Sequence, residues 1–254
     1  MSKSIIQIRQ ELEQASKEQR KSLLDAYQSD PRKGVQNLIE KYHKKELALQ
    51  KEMLRLEQMH FFEKKYGAEY SLICGIDEAG RGPLAGPVVA GACILPPDAT
   101  ILYLNDSKKL SEQKREQLYD EICEKAITYS VGIVSPQRID QINILQATYE
   151  AMRQAICKLN PAPDMLLVDA VTIPEVTTKQ VGIVKGDAKS VSIAAASILA
   201  KVTRDHMMVE LDEAYPEYGF AQHKGYGSAA HIEALKKYGP CPIHRESLDR
   251  KSVV

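Results

Sequence analysis

The stretch ICGIDEAGRGPLAGPVVAGA, residues 73–92, joins two apolar segments through a charged, glycine-rich connection. Short apolar runs bounded by glycine and proline are typical of β-strands, so residues 73–76 and 88–95 are predicted strands. The first strand leads directly into two adjacent carboxylates, Asp77 and Glu78. Adjacent acids at the end of a buried strand repel each other and lose hydration, which destabilises a fold. Their position therefore indicates that other groups in the chain converge on this point.

The remainder of the chain predicts a mixed sheet with helices packed on it. Apolar or β-branched runs indicate five strands, at residues 72–76, 87–95, 129–134, 165–168 and 181–184. Helical patterns lie between and after these strands, at residues 111–126, 141–159, 188–213 and 228–238. Strands that first follow one another and then alternate with helices favour an α/β fold with a mixed sheet.

Residues 1–70 differ in composition from the remainder, being poor in glycine and rich in Lys, Glu, Gln and Leu. Apolar side chains recur there at helical spacing through a charged stretch, which is more typical of a solvated helical face than of a nucleic-acid site. Ser4 and Ser22 resemble helix caps, and Pro31 and Gly34 interrupt the pattern. We therefore predict a helical N-terminal extension of two or three helices over residues 1–70, followed by the main domain over 71–254.

Charge and cysteine content narrow the class of protein. The 34 basic and 34 acidic residues balance, so net charge alone does not indicate a polyanionic partner. No apolar run approaches membrane-spanning length, and the first residues, MSKSIIQIRQELEQ, lack an apolar signal core. The five cysteines include no C-x-x-C pair, which favours free, buried thiols over zinc ligands or disulfides. We expect a cytoplasmic protein that does not contact a membrane.

Two further acids follow predicted strands in the way that Asp77 does. Asp169 ends the run MLLVD, and Asp187 follows VGIVKG at the start of a predicted helix. Strand ends in α/β sheets are where ligands and catalytic groups collect. Both acids also have structural interpretations, because Asp187 could cap the helix and Asp169 could belong to a turn.

Four carboxylates without a surplus of nearby arginine favour hard divalent cations. Magnesium prefers oxygen ligands and retains several waters, so a few carboxylates often suffice to hold it. Two such ions roughly 3.5–4 Å apart can activate a water on one side of a phosphodiester and stabilise the leaving oxygen on the other. This hypothesis explains Asp77 and Glu78, because the charge of the ions would offset theirs.

Six motifs resemble those of bacterial ribonuclease HII, the type 2 ribonuclease H. They occur in the order typical of that family: GIDEAGRGPLAGPVVAGA at 75–92, DSKKLS at 106–111, NILQAT at 143–148, LLVDA at 166–170, KGDAKSVSIAAASILAKVTRD at 185–205 and HKGYGSAAH at 223–231. The related ribonuclease HIII is less similar, because its glycine motif carries a different residue where Arg81 stands here. The N-terminal extension is expected to lie outside the resemblance.

The resemblance implies that residues 71–254 form a catalytic domain with a ribonuclease H-like fold and a helical C-terminal segment. It implies an endonuclease that cleaves the RNA strand of RNA–DNA hybrids and nicks duplex DNA at single ribonucleotides, as in ribonucleotide excision repair and DNA replication. Mg²⁺ or Mn²⁺ would be the cofactor, with two ions bound when substrate is present. Their ligands, which are also the catalytic residues, would be Asp77, Glu78, Asp169 and Asp187. The products would carry 3′-hydroxyl and 5′-phosphate ends, since water and not the ribose is the nucleophile.

One 2′-hydroxyl distinguishes RNA from DNA at a single nucleotide, so its recognition requires close contact. The glycines of Gly80-Arg81-Gly82 permit the backbone to approach a sugar, although they would also suit a tight turn. The resemblance favours recognition, with backbone N–H and C=O groups on either side of the hydroxyl. It also implies that Tyr226 stacks on the sugar following the ribonucleotide, although most tyrosines are packing residues.

Several basic residues have positions from which they could contact substrate phosphates: Lys108, Lys109, Lys185, Lys189 and Arg204. Such contacts position a duplex without reading its sequence, and each of these residues could equally be solvated surface. His223 and His231 flank the tyrosine and are interpreted as structural, because hydrolysis assisted by metal ions does not require a histidine.

Two alternatives to this function are retained. A related nuclease or transposase could use the same acids on DNA, although the Gly80-Arg81-Gly82 motif and Tyr226 argue against it. An inactive module that binds hybrids is the other alternative, and the presence of all four acids argues against that. The expected partners are RNA–DNA hybrids and ribonucleotide-containing duplex DNA. The protein is expected to be a monomer, with residues 1–70 as a docking element for a replication, repair or transcription partner.

Overall fold

Five strands form one mixed β-sheet in the computed structural model, which describes residues 3–249. In chain order they are β1 (Ile73–Ala79), β2 (Val88–Ile94), β3 (Thr128–Val134), β4 (Met165–Asp169) and β5 (Lys179–Ile183). Their spatial order is β3-β2-β1-β4-β5, with β1 antiparallel to β2 and parallel to β4. The sheet is antiparallel on the β3 side and parallel on the β5 side. The five predicted strands and the mixed sheet are confirmed.

Helices account for most of the remaining described chain. They are α1 (Ile5–Gln14), α2 (Lys17–Tyr27), α3 (Lys33–Met59), α4 (Phe61–Tyr66), α5 (Glu112–Lys125), α6 (Pro136–Lys158), α7 (Val191–Ala214), α8 (Phe220–His223), α9 (Ala229–Tyr238) and α10 (Glu246–Asp249). Two short 3-10 helices cover Ser107–Lys109 and Gly186–Ala188. The four predicted helices correspond to α5, α6, α7 and α9, and α6 contains a break at Asn143, where φ is 67°.

Alternation along β1 directs its side chains to two different layers. Cys74 and Ile76 enter the apolar cluster that α6 covers. Ile73 instead packs with Ile193 of α7 on the opposite face, and Asp77 follows Ile73 with the same alternation. The sheet therefore separates two cores and turns Asp77 towards α7.

Close approach between α7 and the centre of the sheet depends on two glycines. A Cβ added to Gly75 would lie 2.0 Å from the carbonyl carbon of Ser192, and one added to Gly91 would lie 2.2 Å from the oxygen of Ala196. No side chain fits in either gap, so α7 packs with its backbone directly on β1 and β2. This contact brings side chains of α7 under the carboxyl end of β1.

The chain divides into two compact units, which meet between Arg55 and Leu56. In the first unit, α1, α2 and the beginning of α3 enclose a small core that includes Ile8, Leu12 and Val35. In the second unit, Leu56 packs into the core beneath α7. The carboxylate of Glu63 accepts a hydrogen bond from Ser190 Oγ at 2.5 Å. The division predicted at residue 70 rests on composition and stays a prediction.

Two expectations for the N-terminal helices are wrong. Ser4 caps α1 as predicted, but Ser22 lies inside α2. The cap of α2 is Ser16, which forms reciprocal hydrogen bonds with Gln19 and satisfies two free N–H groups. The segment contains four helices rather than two or three, because His60 interrupts the helix and separates α3 from α4.

All five cysteines are free thiols. Cys74 and Cys93 are buried in the sheet as expected, whereas Cys157 is exposed on α6, so the expectation of general burial is wrong there. Between residues 3 and 249, no helix has both the length and the apolar character needed to cross a membrane.

Candidate active site

Asp77 and Asp169 occupy matching positions on the neighbouring parallel strands β1 and β4. Ile76 of β1 is paired with Val168 of β4, so the next residue on each strand is one of these acids. The carboxyl ends of parallel strands meet at the same sheet edge, where α/β proteins place their ligands. The two acids predicted from strand ends are therefore neighbours in the fold.

Asp77 is a buried carboxylate with like charges beside it. Asp77 is only 6% exposed, and its Oδ1 accepts a hydrogen bond from the Glu78 N–H at 2.7 Å. Burial raises the pKa of Asp77 well above its usual range, and the charges of Glu78 and Asp169 raise it further. A hydrogen bond with Ser197 of α7 opposes that rise in pKa. Ser197 Oγ lies 3.0 Å from Ser107 Oγ, so the hydroxyl that bonds to Asp77 is itself held by a second hydroxyl.

Glu78 connects the acids to the glycine-rich loop. Its Oε1 lies 3.3 Å from Nη1 of Arg81, which is itself partly exposed. Burial raises the pKa of Glu78, while Arg81 and then Lys108 lower it and Asp169 raises it. Glu78 is therefore close enough to both Asp169 and Lys108 to feel their charges.

Asp187 lies in the 3-10 helix that precedes α7. The N-cap of α7 is Ser190, whose Oγ accepts from the Ile193 N–H at 3.2 Å, so the expectation that Asp187 opens this helix is wrong. Asp169 Oδ1 accepts from the Gly186 N–H at 2.7 Å and ties this turn to the end of β4. Burial raises the pKa of Asp187, and the nearby carboxylates of Asp106 and Asp169 add to the rise.

Asp106 is a site residue that the sequence reasoning missed. Its carboxyl shares a hydrogen bond with Asp187, and it also accepts from the Lys108 N–H at 2.9 Å at the start of a 3-10 helix. Asp106 heads the DSKKLS motif but follows no strand, so a search for acids at strand ends does not find it. The structure thus brings a fifth carboxylate to the four that were predicted.

The donor set suits a hard divalent cation in its chemistry. It consists of carboxylate oxygens, and burial together with neighbouring carboxylates raises the pKa of Asp77, Glu78 and Asp187 despite the positive charges of Arg81 and Lys108 near Glu78. In the described part of the chain, no three His, Cys, Asp or Glu side chains are grouped closely enough to hold an ion as they stand. Mutual repulsion spreads like charges, and Mg²⁺ keeps several waters, so fewer direct ligands are needed.

Two buried arginines hold the loop that joins β1 to β2. Arg245 donates to five carbonyls of this loop at 2.6 to 3.2 Å, those of Gly80, Arg81, Pro83, Gly86 and Pro87. Arg204 of α7 donates to the carbonyls of Ala85 and Pro87 and to that of Lys224 in a second loop. Both guanidiniums are fully buried.

These arginines stay positively charged at neutral pH. Burial lowers the pKa of Arg245 to about 9 and that of Arg204 to about 10, both still above neutrality. The expectation that Arg204 contacts substrate phosphates is wrong, because its guanidinium is enclosed and committed to backbone carbonyls. Sequence reasoning did not single out Arg245.

Tyr226 lies beside the glycine-rich loop. A Cβ added to Gly82 would be 3.9 Å from Tyr226 Cε1, and the Tyr226 side chain is 45% exposed. The Tyr226 carbonyl accepts a hydrogen bond from Nδ1 of His231 at 2.8 Å. His231 stacks on His223 with ring centroids 4.4 Å apart, and His223 bonds to the Tyr218 carbonyl. Both histidines thus support the backbone of the tyrosine loop.

The four lysines predicted to contact phosphates are all exposed: Lys108, Lys109, Lys185 and Lys189. Lys108 is the one that the structure brings to the acids, since its charge lowers the pKa of both Glu78 and Asp187. Nζ of Lys109 lies 3.8 Å from Oδ2 of Asp106. Lys185 and Lys189 flank Asp187 in sequence, and Lys189 donates to the Val184 carbonyl.

Family models match nearly the whole chain. A model described as ribonuclease HII matches residues 74–251, and one described as the ribonuclease HII N-terminal domain matches residues 4–67. The expectation that the extension lies outside the family resemblance is therefore wrong. The boundary predicted at residue 70 falls in the interval between the two matches.

Similar proteins include three bacterial sequences called ribonuclease HII. Identity is 61% to that of Lachnoclostridium phytofermentans, covering 88% of this chain and 87% of the relative, and 58% to that of Acetivibrio thermocellus, covering 87% and 86%. It is 53% to that of Clostridioides difficile, covering 96% of each.

Two solved structures share the fold. The ribonuclease H2 of Pyrococcus horikoshii has a TM-score of 0.58 at 30% identity and covers 70% of this chain and 95% of its own. The ribonuclease HII of Archaeoglobus fulgidus, solved in complex with PCNA, has a TM-score of 0.58 at 28% identity and covers 69% and 94%. The ribonuclease H-like fold expected from the sequence is confirmed.

Proposed function

Because the chain belongs to the ribonuclease HII family of metal-dependent endoribonucleases, we propose that it nicks duplex DNA at single ribonucleotides, using four carboxylates. The broader activity follows from the family: the protein is a hydrolase with ribonuclease H endonuclease activity on RNA–DNA hybrids. The proposal concerns the substrate preference, the residues and the mechanism.

One observation carries the assignment of the carboxylates. Asp77 is buried at the sheet edge, and its pKa is raised by burial and by the charges of Glu78 and Asp169. Among residues 3–249, no arginine or lysine forms an ion pair with Asp77 or Asp169. A fold that gathers uncompensated charge in this way supports a role in binding cations, and Asp187 joins the set through its coupling to Asp169.

Bound Mg²⁺ or Mn²⁺ ions, two in the presence of substrate, would activate a water on one side of the phosphodiester and stabilise the leaving oxygen on the other. The ligands would be Asp77, Glu78, Asp169 and Asp187. Ser197 fixes the orientation of Asp77 from α7, and the Gly186 N–H fixes that of Asp169. Lys108 would receive a phosphate next to the acids, with Lys109, Lys185 and Lys189 contacting the duplex further along.

Recognition of the ribose is assigned to the glycine-rich loop and Tyr226. Arg81 and Gly82 are exposed, the Arg81 guanidinium lies 3.3 Å from the Glu78 carboxylate, and Gly82 lies beside the Tyr226 ring. Backbone N–H groups there would donate to the 2′-hydroxyl, and Tyr226 would stack on the next sugar. Gly80 would shape the loop from within, because a Cβ at this position would lie 2.2 Å from Arg204 Nε. A deoxyribose following the ribonucleotide suits that stack best, which supports nicking at single ribonucleotides.

The test compares three duplexes of one sequence: a single ribonucleotide in DNA, a continuous RNA–DNA hybrid and all-DNA. We expect Mg²⁺- or Mn²⁺-dependent cleavage of the first two, with 3′-hydroxyl and 5′-phosphate products. Cleavage of all-DNA at a similar rate would favour the alternative of a DNA nuclease. Binding without cleavage under any divalent ion would favour an inactive module.

Asp169→Asn and Asp164→Asn form a matched pair for assigning the site. Asp169 ends β4 at the candidate site, whereas Asp164 precedes β4 and accepts from the Ser71 and Leu72 N–H groups at the opposite end of β1. Asp169→Asn should reduce turnover by orders of magnitude, and Asp164→Asn should leave it unchanged. Near-normal turnover of Asp169→Asn would remove this edge of the sheet from the mechanism.

A protein partner is also proposed for residues 1–70. The complex of the Archaeoglobus fulgidus relative with PCNA supports the general idea of a replication partner. The monomeric state and the cytoplasmic location stay predictions.

A further inference from the structure

The guanidinium of Arg245 uses all its donors on one loop. Nε donates to Gly86, Nη1 donates to Arg81 and Pro83, and Nη2 donates to Gly80 and Pro87, always at the carbonyl oxygen. An arginine side chain has five N–H groups, so none remains for another partner. Arg245 is 0% exposed, and none of its side-chain bonds goes to a carboxylate within residues 3–249.

Peptide geometry converts this arrangement into an orientation of the loop amides. In a planar trans peptide, the carbonyl of one residue and the N–H of the next point in opposite directions. The carbonyls of Gly80 and Arg81 point inward to Arg245, so the N–H groups of Arg81 and Gly82 point outward. Both residues are exposed, and in the described chain these two N–H groups have no protein acceptor.

Two other amides of the loop are occupied by protein acceptors, and two are missing. The Leu84 N–H donates to the Gly225 carbonyl and the Gly86 N–H donates to the Ile243 carbonyl, both at 2.9 Å. Pro83 and Pro87 have no N–H. The loop therefore presents the Arg81 and Gly82 amides together beside Glu78, with their positive ends towards the solvent. Successive N–H groups aligned in this way attract an oxygen lone pair.

We propose that Arg245 is a positioning residue for ribose selection, which it exerts by holding the Arg81 and Gly82 amides in the orientation that receives a 2′-hydroxyl. This inference rests on the proposed recognition of the ribose by the glycine-rich loop. Arg245 contacts no substrate itself, because five loop carbonyls enclose its guanidinium. Lysine cannot replace it, since an ammonium has three donors and no planar fork.

A purely structural role makes a different prediction. Arg245 also links the C-terminal segment to the loop, because its backbone N–H donates to the Leu84 carbonyl at 2.8 Å. If stability were its whole contribution, any variant of equal stability would behave alike. Leu118→Ala supplies that control, since Leu118 is a fully buried residue of α5 in a core cluster that includes no loop residue.

The experiment uses Arg245→Lys, Arg245→Gln and Leu118→Ala at a temperature where all are folded. Hydrogen–deuterium exchange of the peptide spanning residues 80–87 measures whether the loop is held. Kd is measured for a duplex with one ribonucleotide and for the same all-DNA duplex, in an Asp169→Asn background that prevents cleavage. Lysine retains the charge and glutamine does not, so the pair separates charge from hydrogen-bond geometry.

We expect faster exchange of residues 80–87 in both Arg245 variants and not in Leu118→Ala. The preference for the ribonucleotide duplex should fall about fivefold for each lost hydrogen bond to the hydroxyl. Affinity for all-DNA should stay unchanged. If Arg245→Gln does not fold, Arg245→Lys alone tests the proposal.

Three results would overturn it. If the parent prefers the ribonucleotide duplex and Arg245→Lys keeps that preference, the role of Arg245 is refuted, while the proposed ribose recognition is not. An equal loss of preference in Leu118→Ala would reduce Arg245 to a stabilising residue. Absence of any preference in the parent would instead refute the proposed ribose recognition, and the selectivity role with it.

Discussion

Asp77→Asn should make the protein more stable when divalent ions are removed, while it abolishes cleavage. Asp77 is buried beside Glu78 and Asp169, and their like charges and its own burial raise its pKa well above normal. Asparagine keeps an oxygen that can accept from the Glu78 N–H and removes the charge. The site is thus expected to contain repulsion that only a bound cation relieves.

The size of the effect follows from the sheet. Neighbouring strands are about 4.8 Å apart. The carboxylates of Asp77 on β1 and Asp169 on β4 are therefore separated by roughly 5 Å. At an effective dielectric constant of about 20, two unit charges at that distance repel by about 3 kcal/mol. Partial protonation and rotation of the side chains reduce this, so we expect a gain of about 1–3 kcal/mol. For a chain of this size, each kcal/mol raises Tm by about 2–4 °C.

The gain should depend on pH in a defined direction. A carboxyl whose folded-state pKa is raised binds its proton more tightly in the folded protein, so it destabilises the fold increasingly as pH rises through the folded-state pKa. Below the unfolded-state pKa, near 4, both states are protonated and the difference disappears. The Tm of Asp77→Asn should therefore exceed that of the parent most at pH 7–8 and converge with it near pH 4.

The assay is thermal unfolding in EDTA over this pH range, repeated with Mg²⁺. Mg²⁺ should raise the Tm of the parent more than that of Asp77→Asn, because a ligand of the folded state stabilises it by mass action. Asp164→Asn is the control, since Asp164 is an exposed acid with backbone N–H partners and should show no gain. If Asp77→Asn melts at or below the parent temperature at pH 7–8, the account of uncompensated charge at this site is wrong.

Three further outcomes are expected. Tyr226→Ala should lower kcat/KM more on single-ribonucleotide duplexes than on continuous hybrids, since a lost stack costs about 1–3 kcal/mol; equal losses on both substrates would contradict junction recognition. Calcium, which coordinates more loosely than magnesium, should support binding in a mobility assay with little cleavage, and rapid turnover with calcium alone would count against the mechanism. Removing residues 1–55 should leave cleavage intact, whereas removing 1–70 should lower Tm, because Leu56 and Glu63 belong to the second unit. Equal Tm values for the two truncations would show that residues 56–70 do not stabilise that unit.

The strands and two of the acids could be predicted because their signals are local. The apolar run before Asp77 and the one that ends in Asp169 are each visible within a few residues, and the strand-end rule then places both acids at one edge. The pattern predicts Asp187 at a helix start, but a short 3-10 helix holds Asp187, and Ser190 is the residue that accepts the helical N–H of α7. Aspartate and serine are both favoured as helix N-caps, so residue preference alone does not show which of the two caps α7.

The groups that were missed act over long distances in sequence. Arg245 lies 158 to 165 residues from the carbonyls of Gly80 and Pro87. Nothing near Arg245 in the sequence indicates that it is buried, and arginine is usually exposed. The same rule predicts Arg204 at the surface, although the loop carbonyls enclose it. Single-sequence patterns reveal which side chains alternate or repeat, but not which distant backbone oxygens will surround a charge.

Ser190, the N-cap of α7, and two residues within this helix are separated by equal steps. Ser190 caps the helix after Asp187, Ser197 supports Asp77 and Arg204 holds the loop, at intervals of seven residues. Seven residues make nearly two turns and advance about 10.5 Å, so the side chains of Ser197 and Arg204 lie along one face of the helix. Chain length within α7 is therefore constrained more tightly than residue identity. One inserted residue between Ser197 and Arg204 would rotate one of them by about 100° relative to the other and separate the acids from the loop, even if every side chain in the site were retained.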